Sequence, residues 1–251
     1  MTKTLKILKA KSLTDIGINH GFSERVGGVS PAPTKSLNLK VSPLVPDDIK
    51  NVASNIGMIL QKNSQYFSGG VLLYLEGQAE VTLVEKCDGF KTLYGFDGAV
   101  TNQTNCTLAI TVADCLPILL ADKKSGIIGI SHAGWKGSAG KITTKVIEQM
   151  VSIGASKKDI VAVVGPGICK KCYEVDKEVA DEFSPNLSTM SRDNKYFLDL
   201  VKANIDELRN AGITSVENLD ICTFENTDRF FSARKEGQTG RFLAYISRKS
   251  T

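Results

Sequence analysis

The chain has 251 residues and a net charge of +4, enough length to bury about 70 to 75% of its unfolded surface in one core without help from a disulfide or metal. Its Lys and Arg residues are scattered among Asp and Glu rather than gathered in a stripe, which argues against nucleic-acid binding. No apolar run approaches the roughly 20 residues that cross a bilayer, and the N-terminal segment reads as mature protein without a secretion signal, so a cytoplasmic protein is expected.

Alternation around Leu5 and Ile7 predicts a first strand and residues 16–22 a second, followed by a loop rich in Gly, Pro and Ser over residues 26–46. A loop of that length is long enough to be functional. From Asp47 onward, Ile49, Val52, Ala53, Ile56, Ile59 and Leu60 recur at helical spacing. Residues 71–75 and 81–84 read as strands, and 108–112, 116–120 and 127–131 as almost wholly apolar strands that belong at the centre. A helix over 141–153 ends at Gly154, a buried strand follows at 160–164, and helices are predicted over 175–183 and 197–210. Strands at 216–222 and 242–246 close a mixed α/β sandwich with largely buried mixed sheets, one domain spanning residues 1–251.

Candidate chemistry gathers where Asp114 and Cys115 lie between two apolar strands and His132 ends the next one. If those strands are neighbours, the imidazole can activate the thiol, or both can bind a borderline-soft cation such as zinc. Gly134, Gly137 and Gly140 follow as the chain turns into a helix, where exposed N–H groups suit an anion. The alternative is a tight strand-to-helix turn that needs glycine for steric reasons.

The other histidine, His20, reads as structural. Six cysteines at irregular spacing are expected to be reduced thiols. Cys169 and Cys172 form a Cys-x-x-Cys without a second pair, and are read as a turn near a strand end.

Ala113-Asp114-Cys115-Leu116-Pro117 followed by His132-Ala133-Gly134-Trp135-Lys136-Gly137 resembles the signature of the YfiH-type family, known both as laccase-domain or polyphenol oxidase proteins and as purine nucleoside phosphorylases. Further matching segments run from Phe22-Ser23-Glu24-Arg25-Val26-Gly27-Gly28, through Gly165-Pro166 and Cys172-Tyr173-Glu174-Val175, to Arg229-Phe230-Phe231-Ser232-Ala233-Arg234 and Thr239-Gly240-Arg241. The resemblance implies a zinc held by two histidines and one cysteine. Cys115 and His132 match two of these ligands, and Glu76, in Tyr74-Leu75-Glu76-Gly77, stands where the family has its other histidine. A carboxylate oxygen is a competent zinc ligand, so the implied set is Cys115, His132 and Glu76 with a fourth position open.

The resemblance also implies phosphorolysis of adenosine, inosine and methylthioadenosine, with adenosine deamination as a side activity. The expected partners are therefore a small nucleoside and phosphate. Asp114 is the candidate acid for the leaving base, and Ser23, Arg25, Arg234 and Arg241 are candidate substrate or phosphate contacts. Copper is a further candidate metal, but a multicopper centre needs more imidazoles than His20 and His132 supply. Two other readings stay open. Cys115 and His132 without metal would make a cysteine hydrolase or amidase, and Glu76 in the histidine position equally suits a degenerate, non-catalytic binding subunit.

Overall fold

The structure is a computed structural model that describes residues 4–64, 68–75 and 77–248. In chain order it begins with β1 (Ile7–Leu8), α1 (Lys11–Asp15), β2 (Asn19–Ser23), α2 (Ile49–Lys62), β3 (Gly69–Tyr74), β4 (Val81–Leu83), β5 (Phe90–Tyr94) and β6 (Gly98–Thr101). The middle holds β7 (Cys106–Val112), β8 (Leu116–Asp122), β9 (Ile128–Ala133), α3 (Trp135–Ala139), α4 (Ile142–Ser152) and β10 (Ile160–Val164). It closes with β11 (Glu174–Asp176), α5 (Lys177–Ala180), β12 (Ser188–Met190), β13 (Lys195–Leu198), α6 (Leu200–Asn210), β14 (Ser215–Asn218), α7 (Ala233–Glu236) and β15 (Phe242–Arg248).

Two six-stranded mixed sheets, ordered β1-β2-β15-β7-β3-β5 and β14-β10-β8-β9-β6-β4, form the body, and β11-β13-β12 forms a small third sheet. Every residue of β7 and β8 is buried, and the alternation of side chains across each strand explains why. Leu119 and Ala121 of β8 face the space between the large sheets, where they meet Leu108 and Ile110 of β7 and Phe242 and Ile246 of β15. Ile118 and Leu120 point the other way, against Ile142, Val146, Ile147 and Met150 of α4 and Leu200 and Leu208 of α6. Leu37, Leu39 and Ile59 form a separate cluster with Leu243 of β15, which seats α2 beside the first sheet. The central strands are therefore apolar on both faces, as the unbroken apolar runs require.

Helix ends follow local capping chemistry. Asp48 accepts from Lys50 N–H at the start of α2, and Asp199 from Lys202 N–H at the start of α6. The Asp199 cap explains why the helix expected from residue 197 begins at Leu200, while residues 195–198 become β13. The helix expected over 175–183 is corrected more strongly: residues 174–176 pair with 195–197 as strand, and only Lys177–Ala180 is helical. Cross-strand pairing with Tyr196 and Phe197 overrides the helical periodicity there. The strand expected over 216–222 stops at Asn218.

One expectation about the thiols is also corrected. Cys87 and Cys106 form a disulfide with their Cα atoms 5.5 Å apart. Gly69 pairs with Cys106 in the β3–β7 ladder, and a β-carbon on Gly69 would lie 2.4 Å from the Cys87 carbonyl. The bare glycine lets the Cys87 segment approach. Among the described residues no helix is long and apolar enough to cross a membrane.

His20 is buried, accepts from Ala10 N–H through Nε2 (2.8 Å) and faces Ile18 O through Nδ1 (2.9 Å), so it is a neutral structural imidazole. Leu119, wholly buried between the large sheets, gives a direct check on the sandwich. Leu119→Ala is expected to cost about 2–5 kcal/mol of unfolding free energy, read from the shift of a denaturant midpoint at unchanged slope.

Candidate active site

β8 and β9 are antiparallel neighbours, with Pro117 opposite His132 and Leu116 opposite Ala133. This register brings Cys115, just before β8, to the end of β9, so the hairpin condition anticipated from the sequence is met. A β-carbon placed on Gly134 would stand 3.0 Å from Cys115 Sγ and 3.5 Å from His132 Nε2. The sulfur and the nitrogen therefore face one small space that any larger residue at position 134 would fill. Cys115 is partly exposed and the His132 side chain is 14% exposed, so that space is reachable from solvent.

His132 is oriented by Asp97, which sequence reasoning missed. Its Nδ1 lies 3.0 Å from Asp97 Oδ1, and its backbone N–H donates to the Asp97 carbonyl at 2.8 Å. With Nδ1 committed, Nε2 is left facing the Cys115 sulfur across the space beside Gly134. Asp97 also accepts from Gly77 N–H at 3.2 Å and Ala79 N–H at 3.0 Å. Burial works to raise the Asp97 pKa, but His132 and those N–H groups outweigh it and hold the carboxyl below its usual range. Burial likewise opposes the imidazolium of His132, yet the Cys115 sulfur and Asp97 carry its pKa up to about 9. Asp97 precedes His132 by 35 residues, and no motif spacing links them.

Asp114 adopts a left-handed backbone (φ 83°), tolerable for Asp. Its two carboxylate oxygens accept from the Thr223 hydroxyl and the Arg234 N–H, each at 2.6 Å. It thereby draws the loops around residues 223 and 234 against Cys115. Arg234 stacks its guanidinium over Tyr173, 5.1 Å from the ring centroid, and hydrogen-bonds Glu174 O. Burial, reinforced by the nearby Cys115, pushes the Tyr173 phenol up to about 12. Arg241 donates to Thr239 O and Gly240 O. Burial lowers its pKa, while Cys115 and Asp114 act in the opposite sense. Lys40, lowered by burial and then by Arg241, lies over the Tyr74 ring at 4.2 Å.

The remaining expected contacts have protein partners of their own. Ser23 is wholly buried with its hydroxyl accepting from Leu243 N–H. The Arg25 guanidinium donates to Thr227 O and Lys35 O, pairs with Glu236 at 2.8 Å and stacks on Phe231. Glu76 lies outside the described residues. The glycine series has steric causes: a β-carbon on Gly137 would meet His132 O at 2.6 Å, and one on Gly140 would meet Ala79 Cβ at 2.7 Å. A second group of donors lies apart from this pair. The sulfurs of Cys169, Cys172 and Cys222 fall within 4.8 Å of one another, close enough for one metal ion. Sequence spacing showed only the first two of the three.

Taken together, the fold and site define a YfiH-like α/β protein with a cysteine–histidine centre. The crystal structure of the Bacillus licheniformis hypothetical protein YfiH superposes with a TM-score of 0.91, covering 99% of this chain and 98% of that one at 28% identity. Residues 19–249 match the sequence model of the family described as multi-copper polyphenol oxidoreductase laccase, and the chain belongs to that family. It is 38% identical over 247 residues to a Deinococcus radiodurans protein named purine nucleoside phosphorylase, covering 96% of this chain and 92% of that one. It is also 39% identical over 168 residues to a protein named adenosine deaminase RL5 from an unknown prokaryotic organism, covering 62% of this chain and 64% of that one.

Because Asp97 joins the Cys115 sulfur in raising the His132 pKa, Asp97→Asn in metal-free protein is expected to move the His132 titration midpoint down from about 9 by roughly one pH unit. Proton NMR of the imidazole signals measures this directly, and an unchanged midpoint would contradict the role given to Asp97.

Proposed function

We propose that this chain is a purine nucleoside phosphorylase that transfers the ribosyl group of adenosine, inosine or methylthioadenosine to phosphate at the Cys115–His132 site, with adenosine deamination as a side activity. The observation that carries the reading is the shared, solvent-reachable space between Cys115 Sγ and His132 Nε2, found in a chain 38% identical to a protein named for that reaction. In phosphorolysis a phosphate oxygen bonds to ribose C1′ as the C1′–N9 bond breaks, and the purine leaves with the electron pair and takes up a proton.

The donor chemistry fits zinc: one sulfur, one imidazole nitrogen, and a carboxylate fixing the far side of the ring, the arrangement that orients metal-bound histidines. Cys115 and His132 would hold the ion, with Glu76 as the third ligand in this proposal. Zinc bound there supplies a Lewis acid beside the reacting group. The protein's own residues do the rest. Asp97 keeps Nε2 turned toward Cys115. Asp114, with both oxygens accepting hydrogen bonds, serves as a positioning residue rather than as the acid first expected. Arg241, Arg234 and Lys40 provide the positive charge that holds phosphate and the developing negative charge of the leaving base.

One observation favours a second reading. Cys115, His132 and Asp97 also have the thiol, base and orienting carboxylate of a metal-free cysteine hydrolase. The two are separated by assaying inosine with and without phosphate. Phosphorolysis predicts phosphate-dependent hypoxanthine release with ribose 1-phosphate as co-product, lost on chelation and restored by zinc. Equal release without phosphate, or none under either condition, rules it out, and inactivation of metal-free, active protein by one equivalent of a thiol alkylator supports the hydrolase. Gly134→Ala, which puts a methyl between the two donor atoms, is expected to lower kcat/KM by about 100-fold or more, corresponding to roughly 3 kcal/mol.

A further inference from the structure

Cys169 caps and Cys172 ends a short 3-10 turn, Lys170–Cys172, whereas Cys222 arrives from the segment after β14. Backbone pairing clamps the two segments together: Gly167 N–H donates to Ile221 O at 3.1 Å, and Thr223 N–H returns a bond to Gly167 O at 3.0 Å. The Cys169 N–H points at Cys222 Sγ, 3.4 Å away. We propose that Cys169, Cys172 and Cys222 bind one thiophilic d10 cation, zinc in the first instance, at a structural site separate from Cys115–His132, and that the cation fastens together two loops forming one wall of the candidate active site.

Three sulfurs on one zinc at about 2.3 Å with tetrahedral angles lie roughly 3.8 Å apart. The sulfurs lie within 4.8 Å of one another, so binding draws them together by about 1 Å at most. Three convergent donors favour a cation over a redox pair, because a disulfide consumes two thiols and leaves the third without a purpose. Cys222 is buried and the other two are partly exposed, so an ion can enter from the groove lined by Lys170, Lys171, Glu225 and Asn226, where water can complete the coordination. Binding releases a proton from each thiol to solvent. The resulting complex of three thiolates and one divalent ion carries one negative charge, which Lys170 and Lys171 on the same turn offset.

Each ligand segment leads straight into the active-site wall. Thr223, next to Cys222, donates to the Asp114 carboxylate beside Cys115. Tyr173, next to Cys172, carries the Arg234 guanidinium on its ring. A cation at the cluster therefore holds Asp114 and Tyr173 in register without touching substrate.

The test uses the full chain, reduced and stripped with a chelator, and in parallel a Cys115→Ala/His132→Ala variant that removes the other pair. Cobalt(II) alone, titrated into the variant, is expected to bind at one equivalent with the near-ultraviolet thiolate charge-transfer absorption of three sulfurs. Adding Cys172→Ser should weaken binding by about tenfold or more. In wild-type protein, which avoids any question of folding, zinc alone should protect Cys169, Cys172 and Cys222 together from alkylation, read by mass spectrometry, and chelation should reverse it. Alkylation of the three at equal rates with and without zinc, or cobalt absorption corresponding to a single thiolate, overturns the proposal. So does a disulfide among the three in protein that takes up no cation after reduction.

Discussion

The Asp97 carboxylate is wholly buried, and a charge so placed is tolerable only if its lone pairs are met. They are met by His132 Nδ1 and by the N–H groups of Gly77 and Ala79, while the Asp97 carbonyl takes the His132 N–H. One residue just before β6 thus sets the direction of the imidazole and holds the segment that follows Glu76. The geometry of Cys115 against His132 depends on this anchoring, since a ring free to turn would present Nε2 to no particular partner. Loss of the carboxylate would leave buried N–H groups unpaired as well as a freed histidine.

The opposite wall is organised by a similar device. Asp114 sits in a left-handed conformation that few side chains tolerate, and it uses both oxygens to draw in Thr223 and the first turn of α7. These contacts place Arg234 and Tyr173 beside the site, with Arg241 and Lys40 partly desolvated nearby. Positive charge gathered in low dielectric acts more strongly on an anion than the same charge on an open surface. The modest overall charge of the chain conceals this local concentration. The three-thiol cluster stands directly behind the wall, on the segments that carry Tyr173 and Thr223.

Residue types and local periodicity made much of this legible. The apolar runs that became β7, β8 and β9 named the centre of the sandwich, and α2 and α4 followed from helical spacing. Cys115 and His132 were visible because each ends or begins an apolar strand. The failures also have physical causes. β11 and β13 exist through pairing with each other, so neither periodicity nor propensity in a single segment revealed them. Arg25 and Ser23 are substrate-contact candidates from motif position, and the structure adds only their protein partners, Thr227, Lys35, Glu236 and Leu243.

By itself the sequence determined the class of fold, the central strands and the identity of the sulfur and imidazole at the candidate site, because these are properties of composition and short-range pattern. Only the tertiary structure decided which distant residues meet. Asp97 reaches His132 through the β6–β9 pairing, Cys222 reaches Cys169 and Cys172 through a backbone bridge at Gly167, and Cys87 reaches Cys106 across a strand opened by Gly69. Each of these contacts depends on strand register over long sequence separations, and register is settled by burial of whole faces at once rather than by any residue's neighbours in the chain.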